Sequence, residues 1–196
     1  MTTFTLPGIF ILAYALGNFS PAYLFSKWFG GFDIRERGSG NAGATNVVRE
    51  MGWRFGAIVF ILDILKGLGA VAIGFWLGGS QGIAAAAFGV VLGHDFPVVL
   101  SFRGGKGVAA TTGILLSLFP LPTLIGIITF VLVVVLTRMV SLGSLIFVTG
   151  MAAYTLISGQ PSALAVAVVG IAVFAILRHR SNIQRILNGT ENLVSF

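Results

Sequence analysis

The sequence predicts an all-α integral membrane protein. It reads as a single transmembrane domain over residues 1–196 with seven transmembrane helices, the N-terminus outside and the C-terminus cytoplasmic. Three observations predict this. Hydrophobic residues make up 56% of the 196-residue chain and charged residues 9%, against about 25% charged in soluble domains. Apolar runs close to the length of a membrane crossing alternate with short polar, glycine- or proline-bearing stretches. The cations gather on alternate connections. No polar run is long enough to build a soluble domain. Cysteine is absent, which excludes disulfides, thiolate catalysis and cysteine metal sites. The net charge of +6 lies on a chain that is mostly span, so the basic residues read as topology signals and as ligands for anionic substrates or headgroups rather than for nucleic acid. The N-terminus lacks a basic n-region and its first apolar run is too long for a cleavable signal.

The first span is expected from Leu6 to about Trp28, kinked where Asn18, Ser20 and Pro21 interrupt it. A polar loop follows to Arg54. The second and third spans are expected at about Phe55–Leu77 and Gly82–Leu100. From Gly107 to Thr137 there are 31 residues without a charge. One helix of that length would measure about 46 Å, too long for an upright crossing. Pro120 and Pro122 near its middle break it, giving short spans at about Val108–Leu118 and Thr123–Thr137. The last two are expected at about Leu142–Ile157 and Ala163–Leu177. Parity supports this count. With seven spans, every one of the 12 Lys and Arg residues except Lys66 falls on one face, which the positive-inside rule makes cytoplasmic. Counting 107–137 as one span would send the tail arginines outside.

Several constellations on that face carry chemistry. Ser101-Phe102-Arg103-Gly104-Gly105-Lys106-Gly107 combines three glycines with two cations, as expected of an anion cradle of inward backbone N–H groups. It is not a Walker A loop, which needs a glycine five positions before the Gly-Lys and a Ser or Thr after it. Gly38-Ser39-Gly40-Asn41-Ala42-Gly43-Ala44-Thr45-Asn46 alternates small residues with hydroxyl and amide groups, and Arg49 follows near the end of a short predicted helix. That composition suits a phosphorylated or polyhydroxylated ligand. In the tail, a helix places His179 and Asn182 on one face, with Arg178 and Arg185 near it. His94 and Asp95 fall at the end of the third span, where support of the glycine-rich loop is the expected role. Asp63 and Lys66 lie three apart inside the second span, a spacing at which opposite charges pair. Ser141 reads as a helix N-cap, and Ser144, one turn in, is free to face a site. Two histidines, no cysteines and few carboxylates leave no metal set. No His-x4-Asp pair is present.

These three segments, Gly38–Asn46 with Arg49, Gly93–Pro97 with Phe102–Gly107, and Arg178–Ile183 with Gly189-Thr190-Glu191, closely resemble the three motifs of the bacterial acyl-phosphate-dependent glycerol-3-phosphate acyltransferases, the PlsY family. The likeness covers the whole chain in length, span count and loop order. It implies an enzyme of phospholipid biosynthesis in the bacterial inner membrane, multi-pass, with its active site at the cytoplasmic face. Glycerol 3-phosphate attacks an acyl phosphate, giving lysophosphatidic acid and phosphate, without a cofactor. Membrane lipid and the enzyme that makes acyl phosphate are the implied partners. By the same likeness Ser39, Arg49, Lys106, His179 and Asn182 act in catalysis. Gly40, Asn41, Asn46, Arg103, Gly104, Gly105 and Gly107 bind substrate, and Glu191 supports; on the residue reading above, Ser144 is a further substrate contact and Asp63, Lys66 and His94 support. The general base is either His179 or the substrate's own phosphate, whose second pKa is about 6.

A transporter of an anionic metabolite is the alternative. It requires polar groups near the midplane and an inverted repeat, whereas only Asp63 and Lys66 lie deep and no repeat is evident. The seven-span reading predicts that a reporter fused at Gly159 lies outside the cell; a cytoplasmic reporter there overturns it.

Overall fold

The structure, a computed structural model, describes residues 5–194. Those residues form helices and loops. Helix α1 (Thr5–Asn18) ends at the predicted kink, and α2 (Pro21–Phe25) restarts after Ser20, whose side chain accepts from Tyr23 N. Proline at the first helical position suits that restart. A loop with one short turn (Ile34–Glu36) leads to α3 (Ala44–Met51). Helical structure then runs from Trp53 to Asp95 as α4, but Gly79 inside it adopts φ 57°, ψ −145°. The chain reverses there, because a Cβ on Gly74 would meet the backbone of Gly82 and Ile83. The two limbs, 53–78 and 80–95, fall where the second and third spans are expected, with the helix ending at Asp95 rather than near Leu100.

The expected proline break lies between α5 (Val108–Leu118) and α6 (Pro120–Thr137), at Phe119, which leaves helical geometry. Helix α7 (Val140–Ile157) follows a left-handed Arg138. Helix α8 (Ser162–Arg178) and the short α9 (Arg180–Leu187) meet at His179 with a bend of 58°. Among the described residues four segments, with α4 counted as one, are long and apolar enough to cross a bilayer, or five if α8 and α9 count as one, and α5 is a shorter apolar helix. Large apolar side chains such as Trp76 and Leu136 are about four-fifths exposed, as expected of faces that lipid covers.

Helix α1 packs mainly along α4. The contact is backbone to backbone: a Cβ on Gly17 would collide with Val90 and Gly93, one on Gly89 with Phe10, and one on Gly93 with Tyr14. The first limb of α4 meets α5 in the same way through Gly67 against Ala110 and Gly113 against Ile64. Around these contacts lie one apolar core of α1, α4 and residues of α5 and α8, and a second shared by α5, α7 and α8. A third, small cluster (Ala22, Ile34, Ala42, Val47, Val59) pins the first polar loop to the bundle. Overpacking a tight contact costs about 1–3 kcal/mol. Gly17→Val is expected to lower the thermal midpoint in detergent by several degrees or prevent folding. Gly150→Ala, where nothing lies within 4 Å, leaves it unchanged.

Candidate active site

The first polar loop is organised by Asn46, which is buried at the start of α3. Its Oδ1 accepts from Ser39 N at 2.9 Å, and its Nδ2 donates to Ile34 O and Arg37 O at 3.1 and 3.0 Å. All of its amide groups are thus engaged within the loop, so it holds the loop's shape while also lining a cavity. The Ser39 side chain is left facing a cavity. Arg49, one turn beyond Asn46, faces the same cavity. Its Nη2 donates to Asn192 O at 3.2 Å, and its Nε is buried without a partner among the described residues. Arg35 pairs with Asp33 at 2.6 Å and donates to Leu100 O at 2.6 Å, which ties this loop to the next.

The glycine-rich segment differs from the expected backbone cradle. Gly104 N donates to Asp95 O at 3.2 Å and Gly105 N to His94 O at 3.0 Å. These N–H groups satisfy carbonyls at the end of α4 that have no partner within the helix, so they are not free for an anion. The glycines serve close approach instead: a Cβ at Gly105 would overlap the His94 ring. Arg178 clamps the segment from the opposite side, donating to Gly105 O through Nη2 at 2.8 Å and Nε at 3.2 Å. Gly107 then takes φ +70° to enter α5, a conformation that favours glycine. Between these anchors the Lys106 side chain projects to Asn182 Oδ1.

The third segment closes the site through Glu191. Its carboxylate accepts from Ser141 at 2.9 Å, from Asn182 Nδ2 at 2.6 Å and from Arg185 Nε at 3.0 Å. Ser141 is therefore not an N-cap. Helix α7 begins at Val140, and the Ser141 hydroxyl points inward to the tail. Because Asn182 donates to Glu191, its oxygen is the atom turned to Lys106. Val194 N donates to Arg138 O at 2.9 Å, completing the strap. Burial alone would raise the Glu191 carboxyl; the hydrogen bonds from Asn182, Ser141 and Arg185 outweigh it and hold it below the ordinary glutamate value. His179, at the α8–α9 corner, is buried, and its Nδ1 stands 2.7 Å from Ala175 O. A carbonyl only accepts, so the ring hydrogen is on Nδ1 and Nε2 offers a lone pair. Burial, with Lys106 beside it, lowers His179 to about 4. Lys106 is lowered to about 8, by burial first and by Arg185, Arg178 and Arg49, against the opposing pull of Glu191.

Two adjoining cavities share Ser39, Asn41 and Lys106. The narrower, about 120 Å³, is lined on its polar side also by Arg49, Gly107, Ser144, His179, Asn182 and Glu191, and on its apolar side by Phe60, Val108, Phe130 and Val140. The wider, about 580 Å³, adds Gly40, Arg103, Gly104, Arg178, Arg180 and Arg185. Expected site residues thus gather from α3, the glycine-rich loop, α7 and the tail. Gly105 lines neither cavity, and Arg103 belongs to the wider, outer one. Asp63 and Lys66 pair at 2.7 Å, and His94, which reads from sequence as near the interface, turns inward to join them. Asp95 is expected from sequence to support the glycine-rich loop. It is fully buried, and neither of its carboxylate oxygens has a hydrogen-bond partner among the described residues.

This site defines a class: helical membrane proteins with a cationic cavity backed by an apolar wall, a lining suited to a phosphate ester. The comparisons narrow it. The sequence profile of the glycerol-3-phosphate acyltransferase family matches residues 8–189. A glycerol-3-phosphate acyltransferase of Thermoanaerobacter sp. (strain X514) is 45% identical over 185 residues, covering 93% of this chain and 92% of that one. One of Clostridioides difficile (strain 630) is 43% identical over 192 residues, covering 95% and 94%. The crystal structure of PlsY (YgiH), an integral membrane glycerol 3-phosphate acyltransferase, in its glycerol 3-phosphate form superimposes with a TM-score of 0.92 at 33% identity over 97% of this chain and 96% of that one. The lysophosphatidic acid form superimposes with a TM-score of 0.88 at 32% identity, covering 97% and 95%. The chain belongs to the glycerol-3-phosphate acyltransferase family of integral membrane enzymes.

Lys106 is charged below about pH 8 and neutral above it. The affinity of the purified protein for a phosphate monoester is therefore expected to fall as pH rises through about 8, read by calorimetry. The alkaline limb should disappear from the residual binding of Lys106→Arg, whose guanidinium stays protonated.

Proposed function

We propose that this enzyme transfers a long-chain acyl group from acyl phosphate to the sn-1 hydroxyl of glycerol 3-phosphate, the first acylation of phospholipid synthesis, at the cytoplasmic face of the bacterial inner membrane. The observation that carries this reading is a single cavity with cations and hydrogen-bond donors on one side and apolar residues of α4, α5, α6 and α7 on the other. Two phosphates and one hydrocarbon chain need both. The glycerol hydroxyl oxygen attacks the acyl carbon, the carbon–oxygen bond to phosphate breaks, and inorganic phosphate leaves with the electron pair. Lys106, Arg49 and Ser39 hold phosphate oxygens. Asn182, fixed by Glu191, orients Lys106, and Ser144 adds a contact at the apolar end. The leaving group is good, so positioning and charge stabilisation supply most of the rate.

His179 Nε2 accepts a hydrogen bond from the attacking hydroxyl and aligns it. A ring lowered to about 4 is a weaker proton acceptor than a phosphate monoester with a second pKa of about 6, so the substrate phosphate takes the proton. In this reading α1–α2, the two limbs of α4, and α5 to α8 make seven crossings. The charged connections, which bond to one another through Arg35, Arg49, Arg178 and Lys106, then share the cytoplasmic face.

Purified protein is expected to release inorganic phosphate from an acyl phosphate only when glycerol 3-phosphate is present; no such release rejects the reaction. His179→Gln should keep measurable turnover across pH 6–8. Near-complete loss at every pH with substrate binding intact assigns the base to His179 instead.

A further inference from the structure

The two limbs of α4 bring three titratable groups together below the glycine-rich loop. Lys66 Nζ stands 2.7 Å from Asp63 Oδ1, 3.1 Å from Phe19 O and 2.6 Å from His94 Nδ1. An ammonium has three hydrogens and no lone pair. Toward a nitrogen 2.6 Å away it can only donate, so His94 Nδ1 is an acceptor, while the Asp63 contact is an ion pair whose Oδ1 has no directed hydrogen bond among the described residues. Asp63 lies at 3.5 Å from that nitrogen, and a hydrogen on Nδ1 would point into the ammonium. The ring's hydrogen is therefore on Nε2. That edge faces away from Lys66 and passes over Gly105, where a Cβ would overlap it. His94 lines the narrower cavity, and among the described residues no group accepts a hydrogen bond from Nε2.

We propose that His94 Nε2–H is a substrate-contacting donor, aimed past Gly105 at an anionic oxygen of the group bound in the cavity, with Asp63 and Lys66 as positioning residues that fix its tautomer. An ion pair in a spanning helix is costly and is commonly tied to function, and second-sphere partners that set a histidine tautomer are a recurring device. Gly105 has a distinct part here: any side chain would take the space that the Nε2 edge of the ring occupies. The proposal rests on the cavity being the substrate site.

Two variants separate donor from scaffold. His94→Asn sets its amide oxygen near the Nδ1 position, so Lys66 keeps a partner while the cavity loses its donor. His94→Gln sets its amide nitrogen near the Nε2 position, so the cavity keeps a donor while Lys66 loses its partner. Steady-state kinetics and thermal midpoints are measured for both in detergent. We expect His94→Asn to lower kcat/KM by about 10- to 100-fold, the range for losing a hydrogen bond to a charged or developing anionic oxygen, with its midpoint near the parent's. His94→Gln should recover the larger part of that rate even where its midpoint falls. The kinetic split names the oxygen. A raised KM for one substrate with kcat kept assigns that substrate's phosphate, and a lowered kcat alone assigns the acyl oxygen, where charge develops only in the transition state. Parent-like kinetics in His94→Asn, or equal loss in both folded variants, overturns the proposal. Lys106→Ala is the control for the site: parent-like rates there reject the cavity as the substrate site, whereas loss there beside parent-like His94→Asn rejects the His94 donor alone.

Discussion

Helix backbones touch at glycines, and the rest of the structure depends on that contact. In a bilayer, apolar side chains gain nothing by leaving lipid for a neighbouring helix, so association rests on close packing and polar contacts. Gly17, Gly89 and Gly93 let α1 lie directly on the second limb of α4, and Gly67 and Gly113 do the same between the first limb and α5. With both limbs clamped, the end of α4 is a rigid platform. The carbonyls of His94 and Asp95 at that end are the anchors from which the glycine-rich loop hangs.

Above the platform, charge takes over from packing. Glu191 gathers Ser141, Asn182 and Arg185, and Asn182 in turn faces Lys106. One carboxylate thereby links α7, the tail and the glycine-rich loop. Arg178 adds a second tie to the same loop and Arg49 joins α3 to the tail. The cations around the cavity are thus placed by carbonyls and a carboxylate rather than by a flexible loop. That arrangement suits a reaction whose rate comes mainly from preorganised charge.

Much of the site was legible because the relevant signals are local. Ser39, Arg49, Lys106, His179 and Asn182 stand in polar segments that an apolar chain has no other reason to carry. What misled was also local. Ser141 follows an arginine at a helix start, the usual place for a cap, yet its hydroxyl turns to a glutamate 50 residues away. Asn46 sits in a run of polar residues that reads as ligand-binding, while its amide is consumed by Ile34, Arg37 and Ser39. The glycines of 104–107 read as an anion cradle, but two of their N–H groups finish a helix. In each case the partner is chosen by a fold in which distant segments meet.

The sequence by itself determined the helical membrane class, the kink at Pro21, the break before Pro120 and the motif segments that carry the chemistry. These follow from composition, from the missing N–H of proline and from the clustering of charge in short polar segments. Only the tertiary structure decided the partners: that His94 turns down to Lys66 rather than out to the interface, that Glu191 faces Asn182, and that Gly105 must be glycine because a histidine ring occupies the space of its side chain. Hydrogen bonds act over about 3 Å, so their partners are set by the packing of α1, α4 and α5, which no stretch of the chain specifies alone.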